Sequence, residues 1–129
     1  MTHKVFIVTD LGVGDGGKGG VVHKVATMQR AHIIIKIGGA QGSHGTHTSR
    51  GETFAFSQWG CGTFEGIPTH ISAHMVVSPE GLLNEAKSLR YEFGIYNPFD
   101  YLTVDESALC ATPYDGIASR IKELALGKT

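Results

Sequence analysis

Two cysteines, four prolines and one tryptophan in 129 residues leave little material for several kinds of protein. Cys61 and Cys110 are too few for a disulfide-stapled scaffold and lack the C-x-x-C spacing of zinc or redox sites, so reduced, buried thiols are expected. Long apolar runs are missing as well. The N-terminal one, Val5-Phe6-Ile7-Val8, stops at Thr9 and Asp10, too short for a signal segment or a membrane span. The chain therefore reads as cytoplasmic, with no membrane partner. Nor is there an excess of one charge: eleven basic and twelve acidic side chains give a net charge of -1. That balance lacks the electrostatic footprint of a nucleic-acid binder.

What is present is apolar material for a core, at 41% of residues, in a length that suits one domain over residues 1–129. Glycine is the outlier, at 18 residues, about twice average usage. Thirteen of these fall between Gly12 and Gly62, mostly in GVGDGGKGG from Gly12, GGAQGSHG from Gly38 and GCG from Gly60. The two larger clusters each follow an apolar run, which marks places where backbone turns tightly or approaches a ligand and argues against a flexible linker.

The apolar run at residues 5–8 predicts a first strand buried on both faces. Val21, Val22, Val25, Ala26 and Met28 recur at spacings of three and four, predicting a helix over residues 18–29. Residues 32–37 predict a second strand, so strand, glycine loop, helix and strand follow in the order of a parallel crossover. Further strands are expected at residues 53–56, 71–77 and 101–104. Ser78-Pro79 should open a helix reaching about Phe93, and Thr112-Pro113-Tyr114-Asp115 a last helix ending near Gly127. The fold class is α/β, with a mainly parallel sheet, flanking helices and glycine loops at strand ends, where ligands of open α/β sheets collect.

Gly12-Val13-Gly14-Asp15-Gly16-Gly17-Lys18-Gly19 almost satisfies the phosphate-loop template G-x-x-x-x-G-K-[ST], and only the last position fails. Glycine amides, a helix N-terminus and the Lys18 charge all suit a phosphate. The hydroxyl that would hold Mg²⁺ is missing at Gly19. Asp15 is a hard oxygen donor that could replace it, or else an Asp bonding its own turn. In the second cluster, Gly38-Gly39-Ala40-Gln41-Gly42-Ser43-His44-Gly45, His44 is a candidate general acid or a locally bonded surface residue, and Gln41 and Ser43 are candidate polar contacts. His70 and His74 read as structural.

These segments resemble the adenylosuccinate synthetase family. Its W-G-D-E-G-K-G-K loop is similar to Val13-Gly14-Asp15-Gly16-Gly17-Lys18-Gly19-Gly20. Its G-G-H-N-A-G-H-T stretch is similar to Gly38 through Gly45, and its V-V-x-S-P-x-x-L-x-x-E run has a counterpart from Met75 to Glu85. The resemblance implies a phosphate-loop-NTPase-like fold, incomplete here because family members are several-fold longer. It implies a Mg²⁺-dependent ligase of purine biosynthesis that joins IMP and L-aspartate at the expense of GTP, with a homodimeric habit when complete. Asp15 would then be the base for N1 of IMP and a Mg²⁺ ligand. Gly14, Gly16, Gly17, Lys18, Gly19 and Gly20 would hold phosphoryl groups, and His44 would assist phosphoryl transfer. Gln41, Gly42, Ser43 and Gly45 would line the nucleotide, with the Ser43 carbonyl on Mg²⁺.

The chain departs from that pattern at Gly16, where the family has glutamate, at Gly20, where it has lysine, and at Gln41, where it has asparagine. A three-residue insertion would give the role of His44 to His47. A branch of the family acting on dGMP has serine where Asp15 stands, so Asp15 favours the IMP-type reaction. The competing readings are a purine nucleotide-binding module without catalysis, a related synthetase acting on a different purine nucleotide such as dGMP, and an ordinary phosphate-loop kinase or ATPase.

Overall fold

The computed structural model describes residues 4–12, 16–39, 42–48 and 51–127. Its first regular element is α1 (Lys18–Met28), followed by β1 (Ile34–Gly38), β2 (His44–His47), β3 (Thr53–Phe56), β4 (Thr69–Val77), α2 (Pro79–Tyr91), β5 (Leu102–Val104), β6 (Leu109–Cys110) and α3 (Pro113–Ala125). β4 is the centre of a parallel sheet. It pairs with β1 (Ile34 opposite Thr69, Lys36 opposite Ile71), with β5 (Thr69 opposite Leu102) and, at its far end, with β6 (Val76 opposite Leu109). The β1–β4 register slips between Lys36 and Gly38, and Gly38 stands opposite Met75. β2 and β3 form a separate antiparallel hairpin, with His44 opposite Phe56 and His47 opposite Thr53.

The run at residues 5–8 corrects the expectation of a first strand. It takes no regular structure and leaves Val5 83% and Ile7 86% exposed. An apolar run becomes a strand only when a neighbour accepts and donates its ladder hydrogen bonds, and none of the described strands does so for this one. The crossover order expected for residues 5–37 therefore begins at the glycine loop. A second correction concerns the glycine loop expected at the end of the second strand, whose last residues, His44 and Gly45, belong to β2. A third concerns the cysteines: both are free, but only Cys61 is buried, whereas Cys110 is exposed.

The helix starts behave as their residues dictate. Ser78 Oγ accepts a hydrogen bond from the Gly81 N–H at 3.0 Å, with Pro79 at the first helical position. At Thr112 the N–H and the hydroxyl both donate to the Asp115 carboxylate at 2.7 Å. The core lies between α2 and the hairpin: Phe56, Trp59, Cys61, Ala86 and Leu89 are buried together, with Phe54 and Phe64 packed edge to face on Phe56. Trp59 is fully buried and donates its indole N–H to the Pro98 carbonyl at 3.1 Å. α3 contributes no buried residue. Among the described residues, no helix is long and apolar enough to cross a membrane.

Candidate functional site

Gly17 precedes α1 as its N-terminal cap, and its φ of 72° lies in the left-handed region where glycine carries no side-chain penalty. No side chain caps the helix start there, which leaves that end of the helix dipole beside Lys18. Two positions further in, Gly19 packs directly on β2. A Cβ at Gly19 would meet the Gly45 carbonyl oxygen and lie 2.9 Å from the His44 carbonyl carbon, both of them backbone. This contact explains why the template fails at its last position: a serine or threonine there would collide with the hairpin.

The same contact brings the first glycine cluster to the second, although not by the route expected. The sequence predicts the clusters as loops at the ends of two parallel strands, whereas in the structure α1 packs on the hairpin that contains His44 and Gly45. The Gly42 N–H donates to the Gly39 carbonyl at 3.1 Å, and Gly42 and Ser43 stand exposed ahead of β2. His44 is half-buried beside Gly19. His47 lies at the other end of β2, its Nδ1 3.0 Å from the Thr53 hydroxyl. Gly14, Asp15 and Gln41, the remaining candidates, lie outside the described residues.

One residue of the loop region was not singled out from the sequence. Asp10 places its carboxylate on the Lys18 ammonium and beside Gly16, where an added Cβ would run into it. Gly16 thus makes room for a carboxylate that arrives from the preceding segment.

Behind the hairpin are two charged residues that the sequence reading also passed over. Lys36 is 8% exposed and donates to the carbonyls of Ser57 and Trp59. Glu85, 7% exposed, accepts from the N–H groups of Ser57 at 3.0 Å, Gln58 at 2.9 Å and Trp59 at 2.9 Å. Burial pushes the Lys36 ammonium below its usual range and the Glu85 carboxyl above its own, and their mutual attraction and hydrogen bonds oppose this. Burial likewise raises the Cys61 thiol, which donates to the His44 carbonyl at 3.8 Å.

Among the described residues, no group of three or more His, Cys, Asp or Glu side chains could hold a metal ion. An open cleft of about 390 Å³, lined by Phe64, Tyr96, Asp100 and Tyr101 among others, shares no residue with the glycine clusters.

The chain resembles solved structures of known function. It superposes on the structure of fully ligated adenylosuccinate synthetase from Plasmodium falciparum with a TM-score of 0.73 and 20% sequence identity. The match covers 89% of this chain and 26% of that one, so the chain spans about a quarter of the neighbour's length. At that identity the likeness speaks for the fold. No curated protein sequence matches the chain. The family model for adenylosuccinate synthetase, however, matches residues 7–129, from the exposed apolar run through the whole of the α/β body. With nearly its entire length matched, the chain belongs to the adenylosuccinate synthetase family.

Proposed function

We propose that residues 1–129 form the N-terminal part of the nucleotide-binding domain of a purine-biosynthetic ligase that joins IMP and L-aspartate, driven by GTP and Mg²⁺. The observation that supports this reading is the packing of Gly19 on the backbone of His44 and Gly45, which brings the start of α1 against the strand that carries His44.

In this reading Lys18 and the amides of Gly16, Gly17, Gly19 and Gly20 hold phosphoryl oxygens. Asp15 takes the N1 proton as O6 of IMP attacks the γ-phosphorus, and the bond to the GDP oxygen breaks. His44 donates a hydrogen bond to the transferring group. The amine of aspartate then displaces phosphate from C6. The oxygen donors Asp15 and Ser43 are hard ligands of the kind Mg²⁺ takes, and Mg²⁺ needs few protein ligands when phosphate and water complete its shell. When bound, it neutralises phosphoryl charge. Gln41 reads the base with a longer arm than asparagine, and Asp15 favours IMP over dGMP.

The complete enzyme is read as a cytoplasmic homodimer. The short span relative to the structural neighbour favours a second reading for this chain taken alone, in which it binds purine nucleotide without turning it over. The test is a titration of the chain with GTP plus Mg²⁺ and with IMP, followed by calorimetry and amide chemical shifts. Binding heat with shifts at Lys18, Gly19, His44 and Gly45 is the expected result. No heat and no shift with either nucleotide would overturn both readings.

A further inference from the structure

We infer that Lys36 and Glu85 are positioning residues of the nucleotide site, gripping the 57–59 peptide units from opposite sides and so fixing His44 against the start of α1. The inference rests on the proposed function in one respect, that His44 serves the nucleotide.

The grip is unusual in how its charges are used. The peptide unit joining Ser57 to Gln58 gives its carbonyl oxygen to the Lys36 ammonium and its N–H to the Glu85 carboxylate. Among the described residues no direct ion pair joins Lys36 to Glu85. The opposite charges act on each other through a peptide whose dipole runs between them. The adjoining groups are held in the same way: Glu85 takes the N–H groups of Ser57 and Trp59, and Lys36 the Trp59 carbonyl. Thr69 Oγ1 accepts the Gly60 N–H at 2.8 Å, and the Thr63 hydroxyl donates to the Gly60 carbonyl at 2.7 Å. Lys36, Glu85 and Thr69 sit on three different elements, β1, α2 and β4, which resist a shift of the segment along any one of them.

Burying two charges to hold one turn is a poor way to stabilise a core, since apolar residues would do it without desolvating ions. What the arrangement gives is directional geometry, and it is aimed at His44 from both ends. Ser57 directly follows Phe56, which stands opposite His44 in the hairpin ladder. Four residues after Ser57, the Cys61 thiol meets the His44 carbonyl. Gly19 of α1 packs on the same carbonyl, where an added Cβ would lie 2.9 Å from its carbon. Lys36 itself lies two residues before Gly38, where the second glycine cluster starts. The clamp therefore ties β1, the strand that leads into the cluster, and the hairpin that holds His44 to one segment.

The test uses the full chain with Lys36→Met, Lys36→Arg and Glu85→Gln. It reads amide exchange at residues 57–59, amide shifts of His44 and Gly45, and affinity for GTP plus Mg²⁺. In Lys36→Met the native Trp59 emission should persist while exchange at residues 57–59 rises about 100-fold. The His44 and Gly45 shifts should move, and affinity should fall about tenfold or more. Lys36→Arg, which keeps the charge, should restore affinity to within about threefold.

If exchange at 57–59 rises but the His44 and Gly45 shifts and the affinity stay as in the unaltered chain, the pair is merely structural and the inference fails. Should Lys36→Met not fold, Glu85→Gln, which keeps shape and one acceptor, is judged by the same outcomes. Lack of nucleotide binding by the unaltered chain would instead overturn the proposed function. The exchange and shift measurements would still decide whether the clamp positions His44.

Discussion

Replacing Gly19 and Gly20, one at a time, with alanine separates the packing argument from every question of ligand. Both are exposed to the same local gain: alanine in a helix is better than glycine by about 0.5–1 kcal/mol, largely because the unfolded chain loses freedom. At Gly20 a Cβ meets nothing within 4 Å, so that gain should appear undiminished. At Gly19 the Cβ would press on the Gly45 carbonyl oxygen and on the backbone of His44, atoms that belong to a strand and cannot rotate away. Overpacking of this kind costs about 1–3 kcal/mol, and with backbone on the other side the upper end applies. The net expectation is a loss of about 2 kcal/mol for Gly19→Ala against a gain of about 0.5–1 kcal/mol for Gly20→Ala.

Urea unfolding followed by tryptophan emission reads this directly, because Trp59 is the single tryptophan of the chain and is fully buried. With a denaturant slope of about 1.5–2 kcal/mol per molar, the midpoint should fall by about 1 M for Gly19→Ala and rise by a few tenths of a molar for Gly20→Ala. A Gly19→Ala midpoint equal to or above that of Gly20→Ala would refute the contact between α1 and the hairpin. The account of why the phosphate-loop template lacks its hydroxyl would fall with it.

Two further outcomes follow from the charged groups at Asp10 and Asp115. Asp10→Asn should free Lys18 for phosphate and tighten GTP binding several-fold at low salt, with the advantage shrinking as salt rises; calorimetry at two ionic strengths checks this, and weaker binding would mean that Asp10 is a partner of the ligand rather than its rival. The Asp115 carboxyl is held below its usual 3.8 by the hydrogen bonds from Thr112, so its contribution to the start of α3 is complete above that value and is lost as pH falls through the lowered one. Helical carbon shifts at residues 113–117 should therefore decline in that acid range in the unaltered chain and show no such step in Asp115→Asn.

Much of this fold was legible because it rests on local chemistry. The spacing of Val21, Val22, Val25 and Ala26 located α1, and Ser78-Pro79 located the start of α2, because a cap and a stripe are properties of neighbouring residues. The run at residues 5–8 misled for the opposite reason. Apolar and β-branched content describes what a strand tolerates, and whether one forms depends on a partner elsewhere in the chain. β2 was missed by the same logic turned around: His44-Gly45-Thr46-His47 has poor strand propensity, and it is a strand because Phe54 and Phe56 across the ladder are anchored in the aromatic core.

The buried charges are the instructive omission, since the signal for them was present. In β1, residues of even number face inward with Ile34, and Lys36 falls on that face. In α2, the core side is marked by Leu82, Ala86 and Leu89, and Glu85 falls inside that stripe. Each residue taken alone looks like a tolerated exception on its own element. Taken together, a lysine at the core position of a strand and a glutamate at the core position of a helix in one small domain imply that each has its compensation, because an unpaired buried charge is too costly to persist. What no periodicity could supply is the object held between them. The 57–59 turn has neither a strand nor a helix pattern, and its backbone groups are satisfied by side chains from β1 and α2 instead of by a ladder. An irregular segment so completely bonded is a rigid one, and a rigid segment between Phe56 and Cys61 is what allows a glycine-rich hairpin to hold His44 in a fixed place.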